Sequence, residues 1–349
     1  MTTVESLQTQ INSVISLYSN GQIQEALDSV EALIRDYPKE ALLFNISGIC
    51  YKASGQLDAA VESFEKALAI KPDYTEVCYN LGIVFMGLGQ LDEAVKSYEK
   101  ALTLKPNYAE AHYNLGIAFK KLGQLDTAVE HYEKAIAIQP DYAEAHNNLG
   151  NVLNDLGQLD DAVKSYEKTL TLKPNYAEAH NNLGNAFKKL GQLDDAVKSY
   201  EKTLTLKPDD AETYSNLGIV YMQLNQTDVA LKCYKKALAI KPDYADAHAN
   251  RGNAMKRLNR LDEALASYEL AIALDPELVF ILGDIYVTKL RLCIWDDLAS
   301  HLNELTSKVN NGEKALNPFI ALALIDDPEI QRKAAEIYAN EKYPQSHVL

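Results

Sequence analysis

The sequence predicts an all-α fold, a solenoid of about eight stacked helix pairs closed by non-repetitive C-terminal helices. Three observations predict it. Prolines recur at 38, 72, 106, 140, 174, 208, 242 and 276, each 34 residues after the last. Small residues and aromatics keep a fixed phase to those prolines. Glycines fall between the two apolar runs of each period, where a left-handed residue ends a helix at little cost.

With the proline as position 32, the repeats are 7–40, 41–74, 75–108, 109–142, 143–176, 177–210, 211–244 and 245–278. Position 8 is Gly48, Gly82, Gly116, Gly150, Gly184, Gly218 and Gly252, and position 20 is the alanine series Ala60 to Ala264. Position 24 is Phe64, then Tyr98, Tyr132, Tyr166, Tyr200, Tyr234 and Tyr268. Small residues at 8 and 20 let the two helices of a pair, A and B, approach closely, while the aromatic and the Leu at position 7 fill the layer between them. No pair buries its apolar face alone, so neighbours must stack. This pattern closely resembles the tetratricopeptide repeat, a 34-residue antiparallel helix pair. The resemblance implies a right-handed α–α superhelix.

The punctuation is read in order. Residues 1–40 form a degenerate N-terminal capping repeat, with Val14 at position 8 and Gln10 at position 4. Residues 41–278 are seven regular repeats. Asp73 to Glu76, Asn107 to Glu110, Asp141 to Glu144 and Asn175 to Glu178 have capping-box spacing at the start of helix A. Gly55, Gly89, Gly123, Gly157 and Gly191 stand just past its end. Residues 279–349 are read as a helical cap or linker. Within it, CIWD at 293–296 falls where other repeats read GQLD, so Trp295 takes the place of Leu91, and Asp327 with Pro328 opens a last helix.

Composition narrows the partners. The 34 Lys plus Arg against 49 Asp plus Glu give a net charge of −15, which opposes binding to nucleic acid or an anionic membrane. Cys50, Cys78, Cys233 and Cys293 lack CxxC spacing and read as reduced apolar fillers. The start, MTTVESLQTQINSV, shows no signal-peptide pattern, and no apolar run approaches the ~20 residues that span a bilayer. The expected compartment is the cytoplasm.

In a helix-pair solenoid of this kind, helix A lines the concave side. Position 6 is Ile46, then Asn80, Asn114, Asn148, Asn182, Asn216 and Asn250. Position 9 adds Asn151, Asn185 and Asn253, and position 5 adds Asn147 and Asn181. Asparagine costs up to about 0.7 kcal/mol per helical site relative to Ala, so a row of six needs an offsetting interaction. One reading is that these amides, each donor and acceptor like a peptide bond, hold an extended chain by its backbone. The other is that they brace neighbouring helices or bind water. The pairs Lys120–Lys121, Lys188–Lys189 and Lys256–Arg257 at positions 12 and 13 either contact acidic partner residues or complement the helix dipole. A chaperone-type carboxylate clamp is not expected, because position 5 is never Lys and position 2 is acidic or polar in the regular repeats.

Catalysis finds no foothold. His112, His146, His180 and His248 share position 4, but equivalent residues of neighbouring repeats are 8–10 Å apart at the helix axes, too far to share a zinc ion. They read as packing residues, like Phe44 and Tyr214. No GxxxxGK[ST], HExxH or GxSxG string occurs, and no catalytic residue, metal site or cofactor is expected.

The asparagine row followed by KLRLCIWDDLASHLNELTSKV (289–309) and NPFIALALIDDPEIQRKAAEIYANEKYP (317–344) resembles the O-GlcNAc transferase and SPINDLY-like glycosyltransferases. The resemblance implies a substrate-recognition arm whose inner asparagines hold protein substrates by the backbone, with a nucleotide-sugar domain beyond Leu349. The alternative is a free-standing adaptor of cytoplasmic complexes. Either way the partners are polypeptide segments, and self-association through the outer surface is compatible with the sequence.

Overall fold

The computed structural model describes residues 6–296 and 298–342. Among these there are twenty helices and no strand. The chain divides into two compact units, Met1–Tyr176 and Ala177–Leu349.

The first unit holds five hairpins. These are α1 (Leu7–Ser19) with α2 (Ile23–Asp36), α3 (Ala41–Ala53) with α4 (Leu57–Ile70), α5 (Thr75–Gly87) with α6 (Leu91–Leu104), α7 (Ala109–Lys121) with α8 (Leu125–Ile138), and α9 (Ala143–Asp155) with α10 (Leu159–Leu172). The second holds α11 (Ala177–Leu190) with α12 (Leu193–Leu206), α13 (Ala211–Gln223) with α14 (Thr227–Ile240), and α15 (Ala245–Arg257) with α16 (Leu261–Leu274). Four further helices follow, α17 (Ile281–Arg291), α18 (Leu298–Asn310), α19 (Pro318–Leu324) and α20 (Pro328–Lys342).

Close approach within each hairpin depends on the glycine at position 8. A Cβ on Gly116 would lie 2.6 Å from Cε1 of Tyr132, and one on Gly184 would lie 2.7 Å from that of Tyr200. The ring therefore occupies the space a side chain would need. The aromatics at position 24 are the largest fully buried side chains, and the alanines at position 20 are buried beneath them. In the first hairpin, Val14 takes the glycine's place and packs with Ile11, Leu27, Val30 and Leu43.

Hairpins end as the sequence predicts and begin differently. Gly55, Gly89, Gly123, Gly157 and Gly191 all have φ between 74° and 78°. Asn225, Asn259 and Cys293 hold the same left-handed conformation at the corresponding position. The predicted capping boxes at Asp73, Asn107 and Asp141 do not form. The N-cap residues are Tyr74, Tyr108 and Tyr142, and none makes a side-chain cap bond. Helix A starts one residue later than the box requires, and does so whether the residue before it is Tyr74, Tyr108 or Tyr142 or, in other repeats, Glu40 or Asp210. Asp210 does cap, accepting from the Thr213 amide at 3.0 Å.

Each helix A also touches the next. Contacts run from α1 to α3, α5, α7 and α9 in the first unit, and from α11 to α13 and α15 in the second. Consecutive B helices make no comparable contact among the described residues. The A helices therefore lie on the inside of each unit's curvature.

In the tail, α17 packs on α16, and Ile281 and Ile285 join Leu305, Leu316 and Ile320 in one core. Asp327 caps α20, accepting from the amides of Glu329 at 2.9 Å and Ile330 at 3.4 Å. Cys293 keeps the backbone of the repeat's turn, but Trp295 does not take the place of Leu91: it is 58% exposed and lies ahead of α18, which begins at Leu298, whereas Leu91 opens α6. Asp297, Tyr343 and Pro344 of the tail segments, and residues 1–5 of the N-terminal stretch, lie outside the described residues. No helix among the described residues is long and apolar enough to cross a membrane.

Candidate functional site

The position 6 asparagines are half-buried on the A faces, and in the first unit their amides reach one repeat back. Nδ2 of Asn114 donates to the Tyr79 hydroxyl at 2.9 Å, and Nδ2 of Asn148 donates to that of Tyr113 at 3.0 Å. Asn80 does the same more weakly, to Oδ1 of Asn45 at 3.4 Å. Each tyrosine is held in turn by the residue that precedes the next helix A. The Tyr79–Tyr108 and Tyr113–Tyr142 ring centroids are both 4.8 Å apart. Burial raises the phenol of Tyr79, and burial with Tyr79 nearby pushes Tyr108 up to about 12. These hydroxyls are therefore neutral at physiological pH. Oδ1 of Asn114 accepts no hydrogen bond from the described residues, which leaves an acceptor there on the inner face.

In the second unit the same position is served differently. Lys188 donates from Nζ to Oδ1 of Asn216 at 2.9 Å. Burial, then the neighbouring Lys189, lowers the Lys188 ammonium. Asn182 is engaged within the protein. Asn250 has no hydrogen-bond partner among the described residues and borders an open hollow of about 400 Å³ with Ile219, Met222, Asn253 and Arg257.

The position 9 asparagines serve their own hairpin. The hydroxyls of Tyr166, Tyr200 and Tyr268 donate to Oδ1 of Asn151 at 2.8 Å, Asn185 at 2.7 Å and Asn253 at 2.8 Å. They satisfy otherwise buried phenols. At position 5, Asn147 is 1% exposed, which removes it from the inner surface. Asn181 accepts from the Thr213 hydroxyl at 3.1 Å. The predicted set thus separates into an inner row at position 6, hydroxyl partners at position 9, and braces at position 5.

At least one cation of each pair bonds to a neighbouring helix A, as Lys188 does. Lys120 forms an ion pair with Asp155 at 3.4 Å, and Lys256 with Asp284 at 2.5 Å. Arg257 donates to the Met222 carbonyl at 3.0 Å. Each of these links neighbouring A helices.

Histidines at position 4 pin helix A to the loop before it. Nε2 of His146 meets the Pro140 carbonyl at 3.1 Å and that of His248 meets Pro242 at 2.8 Å. His112 meets Pro106 at 3.3 Å in the same way and, in addition, His131. Burial, then His112 and Lys134, push His131 down to about 4. Sequence reading missed Tyr79 and Tyr113 as partners of the inner row. Their separation of 35 residues from Asn114 and Asn148, one repeat plus one residue, is the signal that could have found them.

These features define a helical repeat protein with a polar inner face. Family models described as TPR repeat match residues 50–89, 84–123, 118–154, 150–191, 184–225 and 220–259. One described as tetratricopeptide repeat matches 245–278. The chain belongs to the tetratricopeptide repeat family. No curated protein matches it in sequence. Among solved structures, MamA is similar at 32% identity, over 47% of this chain and 96% of that one, with a TM-score of 0.45. YrrB, described as a TPR protein with an unusual peptide-binding site, is similar at 26% identity over 54% and 96%, with a TM-score of 0.49. The Cut9–Hcn1 hetero-tetramer of APC/C is similar at 16% identity over 81% and 56%, with a TM-score of 0.54, a likeness of fold.

Proposed function

We propose that the chain is a protein-interaction module that holds extended polypeptide segments on the A faces of its repeats. The observation that carries this reading is the inner row Asn80, Asn114, Asn148, Asn182, Asn216 and Asn250. In the first unit the amides of Asn80, Asn114 and Asn148 are oriented by bonds to the preceding repeat, and Oδ1 of Asn114 meets no donor among the described residues. Amides repeated once per helix pair suit the backbone of an extended chain, with little demand on its side chains. Asn253 and Asn185 add amide nitrogens beside the row.

Replacing Asn114, Asn148, Asn182 and Asn216 together by Ala tests this against an array of blocked twelve-residue peptides. Affinity for captured peptides falls by about tenfold or more, each lost hydrogen bond contributing ~0.5–1.5 kcal/mol, while helicity is retained. N-methylation of a captured peptide's backbone weakens it similarly. Unchanged affinity in both arms overturns the reading.

The tail supports a narrower reading, that the module is the substrate-recognition arm of an O-GlcNAc transferase-like or SPINDLY-like enzyme. That reading rests on the resemblance of 289–309 and 317–344. It requires the coding frame to continue past Leu349 into a nucleotide-sugar region. A stop codon there leaves the free-standing adaptor.

A further inference from the structure

Repeats provide their own control, and one hairpin departs from it. Position 23 is Ser63, Ser97, Ser165, Ser199 and Ser267 elsewhere, with Cys233 in one repeat. Ser97, Ser165 and Ser199 each donate to the carbonyl four residues before. Only α8 carries histidine there, His131, and it faces the position 4 histidine of α7. Nδ1 of His112 and Nδ1 of His131 lie 3.1 Å apart.

The tautomers follow from the partners. A carbonyl can only accept, so the Pro106 contact assigns the His112 proton to Nε2. Its Nδ1 therefore carries a lone pair directed at His131, which donates from its own Nδ1. Moving that one proton to Nε2 of His131 leaves a lone pair on each Nδ1 with both rings still neutral, and a modest rotation of the rings turns both toward a point beside the line that joins them.

The distance suits a shared ion. Two nitrogens bound at about 2.0–2.1 Å stand about 2.9 Å apart at a right angle and about 3.4 Å apart at the tetrahedral angle. The observed 3.1 Å lies between. The carbonyl behind His112 is the kind of outer contact that fixes a ligand imidazole. Phe119, stacked on His131 with centroids 5.3 Å apart, holds the second ring.

We infer that His112 and His131 form a two-imidazole chelate for a first-row divalent cation of the Cu²⁺, Ni²⁺ and Zn²⁺ class. Both rings are half-buried, so the ion keeps open positions. No group of three or more His, Cys, Asp or Glu that could hold a metal exists among the described residues, so water or a partner's donor completes the sphere. Imidazole and the general affinity order of these ions favour Cu²⁺.

Titration of the full chain with Cu²⁺, followed by calorimetry and electron spin-echo modulation, tests the chelate. One equivalent binds with the modulation of two imidazoles. His131→Ser, the residue the other repeats use, weakens this site by about a hundredfold, the gain of a second donor held at fixed distance. His112→Phe does the same, with the aromatic already present as Phe44. His146→Ala, at position 4 of the next hairpin, leaves it unchanged. Circular dichroism confirms that each variant is folded. Equal Cu²⁺ affinity in wild type and His131→Ser, or the signature of a single imidazole, overturns the inference.

Discussion

Gly116 and Gly123 belong to one hairpin and are glycine for opposite reasons. A side chain at Gly116 would strike the ring of Tyr132 at 2.6 Å, whereas nothing stands within 4 Å of one at Gly123, whose φ is +75°. Gly116→Ala therefore forces the ring or the helix to move, and overpacking of this kind costs ~1–3 kcal/mol. Gly123→Ala meets only backbone strain, about 1–2 kcal/mol. Substituting the larger Val separates them further, because only the Gly116 site worsens with volume. Denaturant melts of the four variants check both the size and the mechanism. The same logic runs in reverse at Cys293, an exposed residue with φ of +59°. There, Cys293→Gly raises stability by about 0.5–1 kcal/mol.

At the scale of the helix, spacing is a good guide to where elements lie and a poorer guide to what starts them. Asp141 and Glu144 have the capping-box interval, yet Tyr142 is the N-cap and makes no side-chain cap bond. Asp210 in the equivalent repeat does cap. Asp141→Ala is expected to change stability by less than about 0.5 kcal/mol, and Asp210→Ala to cost about 1 kcal/mol. Thermal melts of the two variants compare them directly. The difference lies at one position: Asp210 stands where the other repeat has Tyr142, and the capping-box interval points one residue too early, to Asp141. The close contacts behind Gly, Ala and Tyr were legible, since each is a property of one hairpin repeated many times. The inner row was legible as a row. Its division of labour was not, because Asn114 to Tyr79 and Lys188 to Asn216 are contacts between repeats, and residues adjacent in space are 35 or 28 apart in the chain.

At the scale of the molecule, stability is carried by hairpins and by the faces they share with neighbours, so a whole repeat is a removable part. Excising residues 109–142 joins Tyr108 to Ala143, the residue pair type that already connects Tyr142 to Ala143 and Tyr176 to Ala177. The ion pair of Lys120 with Asp155 and the bond of Asn148 to Tyr113 are lost. Tyr79 then faces Asn148, which can restore the bond Asn114 made. The shortened chain is expected to fold, with unchanged helicity per residue by circular dichroism and a smaller denaturant slope, since less surface is exposed on unfolding. An excision of the same length shifted by half a repeat, 126–159, joins Leu125 to Asp160, removes α8 and α9, and leaves α10 to pair with α7. It nevertheless preserves the 34-residue register, so it should fold as well. An excision of 30 residues, 109–138, also removes α7 and α8 whole and leaves four extra loop residues, 139–142, before α9, so it should fold with only a small further loss of stability. Collapse of that variant would show that the 34-residue spacing itself, rather than the faces of the hairpins, holds neighbours together. The 109–142 deletion also removes His112 and His131 together while sparing His146, so a folded product should retain peptide capture and lose the Cu²⁺ site.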